Sequence, residues 1–204
     1  MTNPSQQTPG VAKPTRPGHH RILRMVATFF LGLIVLVGLA VLIIWLVLRP
    51  KRLVFSVEDA SVHNFHLSND NHLNATFDFV VRSYNPNTKV SIYFDSIESD
   101  LNYDDQTLAF STVSPFFQPR RNVTRLQVKL TASSTALFSS VSKDLRLEKK
   151  SGEVELNLDL KARIRYRVGV WKSSHRTLKI FCSSVLVDFS KSKTFDRTYC
   201  DVEI

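Results

Sequence analysis

The chain has 204 residues, 43% of them hydrophobic, with 27 Lys and Arg against 18 Asp and Glu and a formal net charge of +9. The apolar share is spread too unevenly for one uniform soluble domain, and the basic residues are scattered rather than gathered into the patch or motif that nucleic-acid binding requires. Six glycines offer little from which to build a phosphate-cradling loop, so a nucleotide enzyme is not expected.

Residues 1–24 are rich in Pro, Thr and Gln and carry Lys13, Arg16, Arg21 and Arg24 with no acid, the composition of a short disordered basic tail. From Met25 to Leu48 the run MVATFFLGLIVLVGLAVLIIWLVL holds 24 uncharged residues. As a helix it would reach about 36 Å, enough for a bilayer core of about 30 Å, which predicts a transmembrane segment. A cleaved leader would have a shorter apolar stretch followed by small residues, whereas Arg49-Pro50-Lys51-Arg52 follows here, so the helix is expected to stay as a signal anchor. Gly32 and Gly38 are six apart and do not form the Gly-x-x-x-Gly dimer motif.

Charge alone leaves the orientation nearly tied, with four basic residues before the span and Arg49, Lys51 and Arg52 after it. Two further features favour a cytosolic N-terminus. Asn74-Ala75-Thr76 and Asn122-Val123-Thr124 are N-glycosylation acceptors in form, and the only cysteines, Cys182 and Cys200, also follow the span. The region beyond the helix keeps 23 basic residues against 18 acidic ones, a modest formal +5.

Residues 49–204 are sized for one domain and have the rhythm of strands. Leu73, Ala75, Phe77, Phe79 and Val81 alternate with polar residues, which would set Asn74 on the outer face. Val90, Ile92 and Phe94 suggest the next strand, and Leu126, Val128 and Leu130 another. In Ser133 to Leu145 the residues Leu137, Val141 and Leu145 recur every four, predicting one short helix with a serine as N-cap. From Glu153 to Val170 the apolar residues occupy every even position and polar ones the odd positions. Leu178, Ile180 and the run Val185-Leu186-Val187 suggest a further strand. Tyr103-Asp104-Asp105-Gln106 and Lys149-Lys150-Ser151-Gly152 read as turns. The expectation is a mainly β chain: an antiparallel β-sandwich of the immunoglobulin/fibronectin kind with one short helix.

No catalytic, metal or cofactor residues are assigned. His63, His66 and His72 lie near Asp70, but the spacing is not that of a zinc site, His63 and His66 would face opposite ways on a strand, and the stretch reads as a polar inter-strand loop. There is no Gly-x-Ser-x-Gly elbow. Cys182 and Cys200 read either as a disulfide pinning the last segment, worth about 3 kcal/mol for a loop of this size, or as two buried thiols. Lys161, Arg163, Arg165 and Arg167 share the outward face of one strand, a basic stripe suited to anionic headgroups or acidic polysaccharide, or simply a solvated face that discourages edge pairing. Asn85-Pro86-Asn87 has the residues of a turn.

NPNTKVSIYFD at 85–95, SPFFQPRRNVTRLQVKL at 114–130 and ARIRYRVGVWKSSHRTLKIFC at 162–182 follow a single span in this order. Together with the late Cys200, they resemble the plant harpin-induced and non-race-specific-disease-resistance-like proteins, and the region after the span resembles their late-embryogenesis-abundant group 2 module. The resemblance implies a plasma-membrane protein, in some members at plasmodesmata, with its module in the apoplast and a role in pathogen or stress responses. The sandwich is then expected to bind another membrane protein or wall polysaccharide, or alternatively to serve as a lipid-binding or membrane-stabilising module in water stress. It supplies no catalytic residues. The motif positions it matches, Asn85, Pro86, Asn87, Tyr93 and Asp95, are expected first as determinants of the fold. The adhesion-like tripeptides Arg-Gly-Asp and Asn-Gly-Asp of some members do not occur in this sequence.

Overall fold

The computed structural model describes residues 18–48, 51–189 and 195–204. The chain divides into two units, Met1–Arg49 and Pro50–Ile204. Of the basic tail expected over residues 1–24, the part up to Pro17 lies outside the described residues. Helix α1 runs Gly18–Leu48, starting ahead of the apolar run because Ile22 and Leu23 extend its character between Arg21 and Arg24. Within it Arg21–Ile43, 23 residues, is long and apolar enough to cross a membrane, and none of it is buried against the rest of the protein.

Among its described residues the second unit has ten strands and one helix: β1 Val54–Leu67, β2 His72–Tyr84, β3 Ser91–Tyr103, β4 Gln106–Val113, β5 Phe116–Gln118, β6 Val123–Ala136, α2 Ser139–Ser151, β7 Glu153–Val168, β8 Trp171–Lys172, β9 Arg176–Asp188 and β10 Thr198–Glu203. Neighbours run β4-β3-β7-β9-β10-β1-β2-β6, with β5 on β3 and β8 on β7, and the ladders are antiparallel. The sheet folds over so that β6-β2-β1 faces β4-β3-β7-β9, giving the β-sandwich that alternation predicts. The facing layers share one core, in which Phe55 of β1 meets Phe94 of β3 edge to face with ring centroids 6.4 Å apart.

Strand β10 joins the layers. Its first half, Thr198–Cys200, pairs with β1, and its second half, Asp201–Glu203, pairs with β9. The register sets Cys200 opposite Cys182, and the two form a disulfide where the strand passes from one layer to the other. The folded-over edges, β4 and β6, are linked by side chains: Gln106 Nε2 donates to the Ala136 carbonyl at 2.7 Å and Thr135 Oγ1 to that of Leu108 at 3.1 Å.

Local differences from the sequence pattern have physical causes. In β7 Val154, Leu156, Leu158, Leu160, Ala162 and Ile164 are buried, but Tyr166 and Val168 are only partly so and Val170 is fully exposed. The alternation ends early because the chain turns back at Gly169, whose φ of 58° suits a hairpin turn. Strand β6 continues to Ala136, so α2 begins later than Ser133, and its N-cap is Phe138 rather than a serine. The Phe138 N–H is taken by Gln106 Oε1 at 2.9 Å, a partner no local motif reveals. At its other end Lys149, Lys150 and Ser151 belong to the helix, where the lysines oppose the negative end of its dipole, and Gly152 closes it at φ 94°. The stretch from Val62 to Leu67 is the end of β1, not a loop; the loop is confined to Ser68–Asn71.

Candidate functional site

The residues singled out from sequence fall into two groups, and most of them meet at one end of the sandwich. Here β1 begins, β2 ends, β3 begins, β6 begins and β7 ends. Asn85-Pro86-Asn87 is not a solvent-exposed turn: Asn85 is fully buried and Asn87 is 4% exposed. Buried amides need every donor and acceptor matched, and these are. Asn85 Nδ2 donates to the carbonyls of Val90 at 2.9 Å and Pro119 at 3.0 Å, while its Oδ1 accepts from the Asn87 backbone N–H at 3.1 Å and from Asn87 Nδ2 at 3.0 Å. Asn87 also acts as a surrogate strand. Its Oδ1 accepts the Lys51 N–H at 2.7 Å and its Nδ2 donates to the Lys51 carbonyl at 2.9 Å.

Two buried residues that sequence reasoning missed extend this network. Gln118 Nε2 donates to the carbonyls of Ser83 and Asn122, and Gln118 Oε1 accepts from Ser83 Oγ at 2.7 Å. The signal was present: a glutamine following Phe116-Phe117 in an apolar strand is a polar group that must find buried partners. Asn85, Asn87, Ser83 and Gln118 thus fasten four segments together, including the one that follows α1.

Tyr93 and Asp95, the other motif positions, lie on the outer face of β3 beside β7. Arg165 Nε donates to Asp95 Oδ2 at 2.8 Å, and His175 Nε2 is 3.4 Å from the same oxygen. The hydrogen bond from Arg165 holds the Asp95 carboxyl below its usual range, against the opposing effect of burial. Arg167 Nη1 donates to the Tyr93 hydroxyl at 2.8 Å, and Lys172 Nζ lies 5.0 Å above the Tyr93 ring, which is packed on Phe117 at 4.6 Å. The basic stripe is therefore divided: Arg165 and Arg167 are half-buried and engaged, whereas Lys161 and Arg163 are exposed. A second cationic cluster surrounds Glu58, where Arg125 at 2.7 Å, Arg197 at 2.8 Å and Arg82 at 3.6 Å converge on one carboxylate and hold its pKa down, chiefly through the Arg125 hydrogen bond.

The remaining candidates lie apart. Asn74 is exposed on β2 and its Oδ1 accepts the Ser134 N–H at 2.8 Å, which leaves the amide nitrogen pointing away from that bond. Asn122 is exposed in the turn before β6. His63 and His66 are separated by an irregularity in β1 with Asn64 at φ 53°; His63 is 3.7 Å from Asp78, and His72 Nδ1 bonds its own loop at the Asp70 carbonyl. The structure does not bring the three histidines to one centre.

What fold and site define is an antiparallel β-sandwich module that follows an apolar helix and gathers cations, aromatic faces and buried amides at one end. A family model described as late embryogenesis abundant protein matches residues 80–182, half the chain, from within β2 to the disulfide cysteine of β9. An uncharacterized protein of Arabidopsis thaliana is 39% identical over 88% of this chain and 82% of its own length. From the same plant, NDR1/HIN1-like protein 3 is 33% identical over 89% of this chain and 80% of its own, and NDR1/HIN1-like protein 10 is 31% identical over 93% and 86%. The chain belongs to the late-embryogenesis-abundant group 2 family.

Proposed function

We propose that this is a single-pass plasma-membrane protein of plants, present also at plasmodesmata, whose sandwich lies in the apoplast and acts as a non-catalytic binding module in defence or stress responses. The observation that carries the topology is the Cys182–Cys200 disulfide, because such bonds persist in oxidising compartments and both cysteines follow the apolar helix. Exposure of Asn74 and Asn122 supports the same side, since a glycan needs a surface asparagine. The binding reading rests on the basic end, where cations and aromatic faces stand ready for another membrane protein or an acidic wall polysaccharide without any arrangement of nucleophile and base. A second reading, a lipid-binding or membrane-stabilising module in water stress, is favoured by the same cations in a different use, contact with lipid headgroups.

The test of topology is a glycosidase mobility shift on the protein expressed in plant cells, with Asn74→Gln and Asn122→Gln as controls and non-reducing gels beside reducing ones. The expected outcome is a shift that falls stepwise in the two variants, with the disulfide intact. A protein with no shift and freely alkylated Cys182 and Cys200 would overturn the apoplastic placement.

A further inference from the structure

Four segments meet at the basic end: 51–54, 84–91, 116–123 and 165–176. They contain two, one, two and four Lys or Arg residues and not a single Asp or Glu. The segments at the opposite end, 68–72, 103–106, 137–153 and 185–189, hold seven acids against four cations. Charges scattered along the chain are thus sorted by the fold toward one pole. That pole also carries exposed apolar groups. Val170 is fully exposed and Trp171 61% exposed at the β7–β8 tip, Phe117 is 42% exposed beside Tyr93, and Val54 and Val123, at either side of Tyr84, are each 37% exposed. Apolar groups ringed by cations, with Asp95 the one carboxylate beside them and already engaged by Arg165 and His175, are the composition of a surface that meets an anionic interface. Trp in particular prefers the headgroup level, where its ring is shielded and its N–H stays hydrated.

Chain length selects the interface. Lys51, held by Asn87 in this pole, is three residue steps from Leu48 at the end of α1, and three steps span at most about 11 Å. We propose that the basic end is a bilayer-contact surface, with the Val170–Trp171 tip at the headgroup level of an anionic leaflet and the surrounding cations paired to lipid phosphates. The inference rests on the single-pass reading. It assigns the Val170–Trp171 hairpin a role that the buried amide network does not explain.

The test uses the full chain carrying Trp45→Phe, so that Trp171 is the only tryptophan, reconstituted in phosphatidylglycerol-rich and in purely phosphatidylcholine vesicles. Lipids brominated near the top of the acyl chain quench indole only at close approach. Quenching of Trp171 in the anionic vesicles is expected, weaker in the zwitterionic ones and abolished by Val170→Asp. Neutralising Arg120 and Arg121 with Arg120→Gln and Arg121→Gln should weaken the contact about fivefold per charge. A cooperative melting transition at the parent protein's midpoint reports that each variant is folded. Unquenched Trp171 in folded, carbonate-resistant protein would overturn the proposal and leave the single-pass reading standing; if added polygalacturonate then shifts the Trp171 emission, the pole binds acidic polysaccharide instead. Extraction of the protein by carbonate would overturn the single-pass reading, and quenching measured before extraction would still decide the proposal.

Discussion

The two ends of the sandwich are closed by opposite chemistry. At the basic end the closing groups are buried amides, Asn85, Asn87 and Gln118, whose bonds go to backbone atoms of neighbouring segments. At the other end the plug is mainly apolar: Leu137 and, from α2 itself, Val141 and Leu145 are buried with Ser142, and the rim is polar, with Tyr103 donating to Glu148 Oε1 at 3.0 Å and Lys149 to the Phe65 carbonyl at 3.2 Å. Apolar burial is strong but indifferent to small displacements, whereas a buried amide fixes its partners to within a few tenths of an ångström because misalignment leaves them unpaired. The polar device lies where the position of a neighbouring segment matters. The end that receives the chain from α1 needs a defined position for Lys51, and the end that only needs covering uses a helix.

The comparison can be broken most forcefully at Asn85. Asn85→Ala removes four hydrogen bonds and strands the Val90 and Pro119 carbonyls in the interior, with an expected loss of about 4 kcal/mol, since each buried group left unmet costs roughly 1–3 kcal/mol. Chemical denaturation gives the total, and hydrogen exchange gives the place. Protection should fall at Lys51 and Arg121, whose N–H groups bond Asn87, while the amides of α2 keep theirs. A uniform loss across both ends would mean that the amides stabilise the sandwich as a whole and do not position one end. The complementary change, Leu145→Ala, empties a site 1% exposed and should cost about 3 kcal/mol, with the exchange pattern reversed.

How much of this was legible in the sequence differs between the ends in the same way. Alternation revealed β2 and most of β7, because period two is all that a half-buried strand requires of its sequence. The every-fourth spacing of Leu137, Val141 and Leu145 pointed to a helix, although the cap and both ends were displaced: Phe138 stands at the N-cap without a side-chain cap bond, and its own N–H goes to Gln106, 32 residues away. The amide network was not legible. Asn85-Pro86-Asn87 has the same composition as an exposed turn, and nothing local says that Asn87 will bond Lys51, 36 residues earlier. Strand β1 was hidden for a related reason. Its irregularities at Glu58 and between His63 and His66 interrupt the alternation, and the first of them turns Glu58 toward three arginines. The charge polarity was invisible for a topological reason, because four segments far apart in sequence supply it together.

The smallest effects concern carboxylates, and they sharpen the electrical side of the comparison. Asp95, near the basic end, has its pKa lowered by the Arg165 hydrogen bond; Asp159, further along β7 toward the capped end, has its pKa raised by burial, despite the Asn102 hydrogen bond at 2.9 Å. The signs oppose one another. A lowered native pKa gives stability that is present above the unfolded value of about 3.9 and is lost as pH falls through the native one, while a raised native pKa gives stability present at low pH and lost as pH rises through it. Asp95→Asn should therefore lower the melting temperature near neutrality by about 2 °C, with the effect shrinking as pH falls below the unfolded value, and Asp159→Asn should raise it near neutrality by a similar amount. Melting curves of both variants between pH 2 and 7 check this. If both substitutions move the midpoint in the same direction near neutrality, local surroundings do not sort these carboxylates as the cations at the basic end and the burial along β7 require.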